Sequence, residues 1–263
     1  MTTIPIYQVD AFAAALFAGN PAAVCPLESW LDDATLQAVA AENNLAETAF
    51  FVKQEGGYRL RWFTPTNEVD LCGHATLASA FVVFGYLEPA ATSVVFSTRG
   101  GDLTVTRDGK RLELDFPAIP ARPCDPPAAL IEGLRARPSE VRLGSNWMAV
   151  FETAAEVAAL APDMARIATL HPACVIATAP GNGAHGADFV SRFFAPSHGI
   201  PEDSVTGSAH CSLVPYWSDR LGRKRLVARQ ISARGGVLHC EDRGARVGIA
   251  GEAVLYLQGT IRV

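Results

Sequence analysis

Cys72, His74 and Thr76 stand around Gly73, directly before the apolar run Leu77-Ala78-Ser79-Ala80. A thiol can act as a nucleophile or a proton donor, and an imidazole takes or returns a proton near neutral pH. A glycine has no Cβ to keep a ligand from the backbone. If the apolar run is a helix, its first N–H groups lack partners and carry partial positive charge, which suits a carboxylate or another anion. Two further segments carry acidic groups into apolar surroundings. Glu47 opens Glu47-Thr48-Ala49-Phe50, and Asp203 precedes Val205-Thr206-Gly207-Ser208-Ala209. A carboxylate entering a buried strand is costly unless it is paired or functional.

The elements that must position these groups alternate between strand and helix. Ile4 to Phe12 reads as a strand, Gly19-Asn20-Pro21 as a turn, and Ala22 to Cys25 as a second strand. Asp32 or Asp33 caps a helix carrying Leu36, Val39 and Ala40 at helical spacing. Thr48 to Val52 and Tyr58 to Phe63 pair around Gly56-Gly57. Leu77, Ala80, Phe81 and Phe84 mark a helix that Gly85 is placed to end. Val94 to Phe96, Leu103 to Thr106 and Arg111 to Phe116 are strands, the last two joined at Asp108-Gly109. The proline-rich stretch 117–123 breaks every pattern and suggests a boundary.

The second half replays the first. Arg61-Trp62-Phe63-Thr64-Pro65 is echoed by Arg192-Phe193-Phe194-Ala195-Pro196, and Glu68 to Ala75 by Glu202 to Ala209, with one three-residue insertion. Asn20-Pro21-Ala22-Ala23-Val24 has a fainter echo in Asn146-Trp147-Met148-Ala149-Val150. The ordered set reads as a duplicated lobe. Residues 1–117 are then one lobe, 124–255 the other, and 256–263 a strand that crosses back to the first. Two helix starts, at Gly73 and Gly207, would clamp an anion in an interlobe cleft.

Composition narrows the function classes. Net charge is −5 with no basic cluster, which argues against nucleic acid and anionic membranes as partners. No apolar window approaches the ~20 residues of a membrane span, and the six cysteines form no CxxC pair. A cytoplasmic, globular protein is expected. The histidines show no ligand spacing, so no metal is expected. Gly181-Asn182-Gly183-Ala184-His185-Gly186 matches GxGxxG, but the residues after it read as a strand, so it is a hairpin loop and no dinucleotide site.

Taken together, Gly19 to Val24, Glu47 to Phe50, Arg61 to Pro65, Glu68 to Thr76 and Asp203 to His210 resemble the PhzF-like isomerases of the phenazine-biosynthesis type. The resemblance runs in order over nearly the whole chain. It implies an α+β fold shared with diaminopimelate epimerase, with two pseudo-symmetric lobes, each a β-barrel wrapped around a central α-helix. It also implies proton transfer without a cofactor on a small carboxylate-bearing substrate, and a homodimer. Carried over by position, Glu47 is the acid/base group, His74 and Asp203 are further catalytic positions, and Asn20, Gly73, Gly207 and Ser208 bind substrate.

One departure bears on mechanism. Two-base epimerases of this fold carry a cysteine before the glycine of each lobe, whereas here Cys72 is matched by Thr206. A hydroxyl is far too weak an acid to replace a thiol unaided, so a single carboxylate shifting a proton fits better. A Cys72-dependent epimerase or hydrolase stays open as the alternative, as does a non-catalytic protein that binds a carboxylate metabolite. Ser208 with His74 and Asp203 lacks the glycine pair of a nucleophile elbow.

Overall fold

The structure is a computed structural model that describes residues 2–263 apart from Asn182, Ala184 and His185. The chain divides into two compact units, Met1–Asp115 with Ala250–Val263, and Phe116–Ile249. The first unit begins with β1 (Thr3–Ala11), β2 (Asn20–Leu27), α1 (Asp33–Asn43), β3 (Glu47–Gln54), β4 (Gly57–Phe63) and β5 (Glu68–Val69). It continues through α2 (Gly73–Val82), β6 (Ser93–Thr98), β7 (Gly101–Asp108) and β8 (Arg111–Pro117). The second holds β9 (Arg122–Pro123), α3 (Ala128–Leu134), β10 (Glu140–Leu143), β11 (Trp147–Val150), α4 (Ala154–Ala159), α5 (Met164–Ala168) and β12 (Val175–Pro180). After these come β13 (Phe189–Ala195), β14 (Ile200–Asp203), α6 (His210–Leu221), β15 (Arg225–Gln230), β16 (Gly236–Asp242) and β17 (Arg246–Gly251). The last strand, β18 (Ala253–Arg262), lies antiparallel to β1, from Thr3 opposite Arg262 to Ala11 opposite Ala253.

Strand pairing repeats inside the two units. In the first, β2 runs antiparallel to β1 and parallel to β3, β4 runs antiparallel to β3 and β5 and parallel to β6, and β7 returns against β6. In the second, β11 runs antiparallel to β10 and parallel to β12, β13 runs antiparallel to β12 and β14 and parallel to β15, and β16 returns against β15. Parallel pairs need a crossover, and helices supply it at the matching places: α1 and α2 in one unit, α4–α5 and α6 in the other.

Local chemistry accounts for the elements. Asp32 caps α1 by accepting from the Thr35 N–H at 2.9 Å, and Leu36, Val39 and Ala40 face inward. α2 is buried nearly all round and packs against β1, β2, β3 and β18. Small side chains permit this: Ala75, Ala78 and Ala80 are fully buried. Its hydroxyls stay satisfied because Ser79 Oγ donates to the Ala75 carbonyl at 2.7 Å and Thr76 Oγ1 to the Cys72 carbonyl at 2.5 Å. Gly85 does not end this helix. It lies inside a π-helical turn, Val83–Leu87, that prolongs it. Of the GxGxxG stretch, Asn182, Ala184 and His185 lie outside the described residues. The segment joins antiparallel β12 and β13, so the residues after it form a strand.

The duplicated residues build the same polar brace twice. Arg61 forks onto Glu68 with 2.7 and 2.9 Å contacts, and Arg192 onto Glu202 with two of 2.8 Å. Each guanidinium also lies over the phenylalanine two residues on, 5.0 Å from Phe63 and 4.9 Å from Phe194.

Candidate active site

Three segments of the first unit converge on His74. α2 begins at Gly73, with Cys72 as a cap residue that makes no side-chain cap bond. His74 therefore sits in the first turn of a buried helix. Parallel pairing of β2 with β3 sets Ala22 opposite Glu47, so the first residues of both strands, Asn20 and Glu47, lie at one end of the pair. The results are short contacts: Asn20 Nδ2 to His74 Nδ1 at 3.2 Å, Cys72 Sγ to the same nitrogen at 3.5 Å, and His74 Nε2 to Glu47 Oε2 at 3.1 Å.

The Glu47–His74 contact is within ion-pair reach but poorly aligned. Neither Glu47 Oε2 nor His74 Nε2 has a hydrogen-bond partner, although both atoms are buried. A buried ion pair normally completes its hydrogen bonds, so two unspent groups at one point are an arrangement that a third polar group would complete. Burial by itself drives His74 toward its neutral form, but negative charge at Cys72 and Glu47 raises the ring well above the ordinary imidazole range. Burial pushes Cys72 up to about 11, with the Glu47 charge adding to it, so near neutral pH it is a thiol. The charge that then favours protonated His74 is that of Glu47. The Asn20 amide, as placed, donates to Nδ1 and favours the neutral ring instead. Both forms carry a proton on Nε2, facing Glu47.

The second unit holds the other named residues. Asp203 ends β14, and its Oδ2 accepts from Thr206 Oγ1 at 2.5 Å. Gln230 ties this corner together: its Oε1 accepts from the Thr206 N–H at 2.8 Å, and its Nε2 donates to the Asp203 carbonyl at 2.7 Å. Thr206 thus has the carboxylate partner that the sequence left unidentified. Sequence reasoning also passed over Gln230. Its signal was parity, since it shares the inward face of β15 with Leu226 and Ala228.

Gly207 does not open its helix as Gly73 does. α6 starts at His210, and residues 207–209 form a tight turn with His210 N–H bonded to the Gly207 carbonyl at 3.0 Å and Cys211 N–H to that of Ser208 at 3.1 Å. The reason lies in one substitution. In the first unit the Thr76 N–H and hydroxyl both reach the Cys72 carbonyl, which closes a full α-turn. At the matching place the His210 ring takes the Thr206 carbonyl through Nδ1, at 2.8 Å.

His210 is fully buried, with Nε2 unpartnered, and burial lowers it from 6.5 to about 4. Between those values the unfolded chain binds a proton that the folded one refuses. Its stabilising contribution is therefore complete above pH 6.5 and disappears as pH falls to about 4. Urea unfolding across that window should show a loss of about 3 kcal/mol from this group. His210→Thr, which copies Thr76, should remove that part of the slope.

Gly19 sets the backbone before Asn20. Its φ is +67°, and a Cβ there would run into the Ala11 carbonyl oxygen and lie 2.8 Å from Ala13 Cβ. Gly19→Ala should cost about 3 kcal/mol in chemical unfolding, from the strained backbone and the collision together.

Comparison with known proteins shows the family of the chain. The family model described as phenazine biosynthesis-like protein matches residues 9–259. The uncharacterized isomerase PA2770 of Pseudomonas aeruginosa is 52% identical over 260 residues, covering 99% of both chains. A crystal structure of a PhzF-family phenazine biosynthesis protein from Enterococcus faecalis superposes with a TM-score of 0.95 at 44% identity, covering all of both chains. A hydroxyproline epimerase of Agrobacterium vitis shares the fold alone, with a TM-score of 0.62 at 12% identity over 98% of this chain and 92% of its own. The chain belongs to the PhzF-like family of phenazine biosynthesis-like proteins, and it is an isomerase with the α+β fold of the diaminopimelate epimerase type.

Proposed function

We propose that the isomerase moves a proton on a small carboxylate-bearing substrate without a cofactor, with Glu47 as the acid/base group. The observation that carries this reading is the pair of buried, unspent atoms Glu47 Oε2 and His74 Nε2, 3.1 Å apart. A substrate C–H or enol O–H entering there meets a carboxylate that can take the proton and return it. His74 holds that carboxylate in place, and Asn20 orients the ring. The N–H groups at the start of α2, beginning at Gly73, receive the substrate carboxylate.

A single base is supported by what stands at the equivalent place in the second unit. Thr48 faces Phe63 across β3–β4, and Val175 faces Phe194, the echo of Phe63, across β12–β13. The residue before each is then Glu47 in one unit and the buried Cys174 in the other, so the duplicated position has no second carboxylate. Cys72, buried and held as a thiol, is assigned no proton-transfer step. Asp203, Gly207 and Ser208 enter the proposal through the family resemblance, Asp203 as a catalytic and the others as substrate-binding positions. The reading extends to a cytoplasmic homodimer. Six free thiols support the first. Two exposed aromatic side chains in contact, Phe17 and Tyr256 with rings 5.9 Å apart, support the second. Among the described residues, no helix is long and apolar enough to cross a membrane.

Incubating candidate carboxylates in deuterated buffer tests the chemistry. Enzyme-dependent deuterium uptake without net hydrolysis is expected, and binding with no exchange in any candidate would overturn the assignment.

A further inference from the structure

Glu47, Cys72 and His74 bring a carboxylate oxygen, a sulfur and a ring nitrogen to within 4.8 Å of one another, the one such trio among the described residues. We infer that this trio captures a thiophilic divalent cation of the Zn²⁺ class, and that occupancy stops the isomerase. The second half rests on the role proposed for Glu47. The first half does not.

The donor set argues for the cation. Sulfur and imidazole nitrogen beside one carboxylate suit Zn²⁺ and Cd²⁺, whereas Mg²⁺ and Ca²⁺ require oxygen donors throughout. Tetrahedral zinc, with bonds of about 2.0–2.3 Å, sets its ligand atoms about 3.3–3.8 Å apart, so closing the trio takes a side-chain movement of about 1 Å. His74 Nε2 is the second observation. The side chain is only 5% exposed and this nitrogen has no hydrogen-bond partner, yet it stands 3.1 Å from Glu47 Oε2. Glu47 is more exposed than His74, its side chain 14% exposed against 5%.

The protons balance simply. The thiol S–H bond breaks and a sulfur–metal bond forms, with one proton released to water. A protonated ring loses its Nε2 proton to water as the nitrogen–metal bond forms and keeps the one on Nδ1, whereas a neutral ring first moves its proton from Nε2 to Nδ1 through water. Asn20, 3.2 Å away, accepts from that Nδ1–H once the amide turns its oxygen inward. With Glu47 and His74 both ligated, neither can hold or move a substrate proton.

Chelator-treated protein titrated with Cd²⁺, with Zn²⁺ as competitor, tests the capture without any activity assay. A thiolate-to-cadmium absorption band saturating at a single equivalent is expected, absent in Cys72→Ser and shifted to at least about tenfold higher cadmium in Glu47→Gln. Zn²⁺ should inhibit the wild-type isomerase, Mg²⁺ should not, and the Cys72→Ser enzyme should keep working in Zn²⁺. No band in wild-type protein, or an unchanged band in Cys72→Ser and in Cys72→Ala, overturns the capture site. The band with full activity in saturating Zn²⁺ overturns the inhibitory half and the assigned role of Glu47 with it.

Discussion

Glu47→Gln should lower turnover by at least ~10²-fold, the usual worth of a positioned acid/base group, while Cys72→Ser keeps most of it. The amide keeps the shape of the side chain, but it has no lone pair basic enough to take a substrate proton. Substrate affinity should change little, because the proposed carboxylate contacts come from the start of α2. Cys72→Ser is nearly isosteric and preserves a weak donor 3.5 Å from His74 Nδ1 in the native arrangement. His74→Ala leaves the Glu47 carboxylate without its neighbour at 3.1 Å and should fall between the two. Steady-state rates on a substrate identified by deuterium exchange would check all three. An active Glu47→Gln enzyme beside a dead Cys72→Ser enzyme would return the chemistry to the thiol.

Arg192→Met should destabilise the protein by about 3 kcal/mol, the low end of what breaking a buried ion pair costs. Arg192 does more than pair with Glu202. Its Nη1 also donates to the carbonyls of Leu160 at 2.8 Å and Val157 at 3.2 Å, at the end of α4. Removing the guanidinium leaves a mostly buried carboxylate without its cation and takes a donor from the Leu160 carbonyl at once, while the Val157 carbonyl keeps the Leu160 N–H at 3.4 Å. Arg61→Met should cost less, although the brace looks the same. Glu68 keeps a second cation, Arg99, at 2.6 Å, and the other partner of Arg61, Asp33, lies largely in water. Urea unfolding of the two variants against wild type would check the difference, and equal losses would contradict it.

Features written in contiguous residues are legible in the chain itself. Asp32 as a cap, Asp108-Gly109 as a hairpin turn and the inward period of Leu36, Val39 and Ala40 each depend on neighbours a few residues away. The duplication is legible for the same reason, since Arg61 and Glu68 stand close in sequence, as do Arg192 and Glu202. Gly85 misleads because local propensity argues for a stop, whereas the chain continues through a wider π-turn.

The sequence by itself determined a repeated α+β lobe, the residue types available for proton transfer, and the asymmetry of Cys72 against Thr206. Tertiary structure alone decided which of those groups meet. Asn20 and His74 are brought to 3.2 Å by the packing of α2 on β2, and Glu47 arrives through the parallel register of β2 with β3. Neither packing nor register can be read from spacing, because each is settled by the burial of whole faces rather than by adjacent residues. The same holds for Gln230, which crosses 24 residues to bind Thr206, and for His210, whose ring replaces a backbone contact and shifts the start of α6. Contact order separates what was legible from what was not: local bonds follow from neighbouring side chains, while the site is assembled from segments that only a folded core holds together.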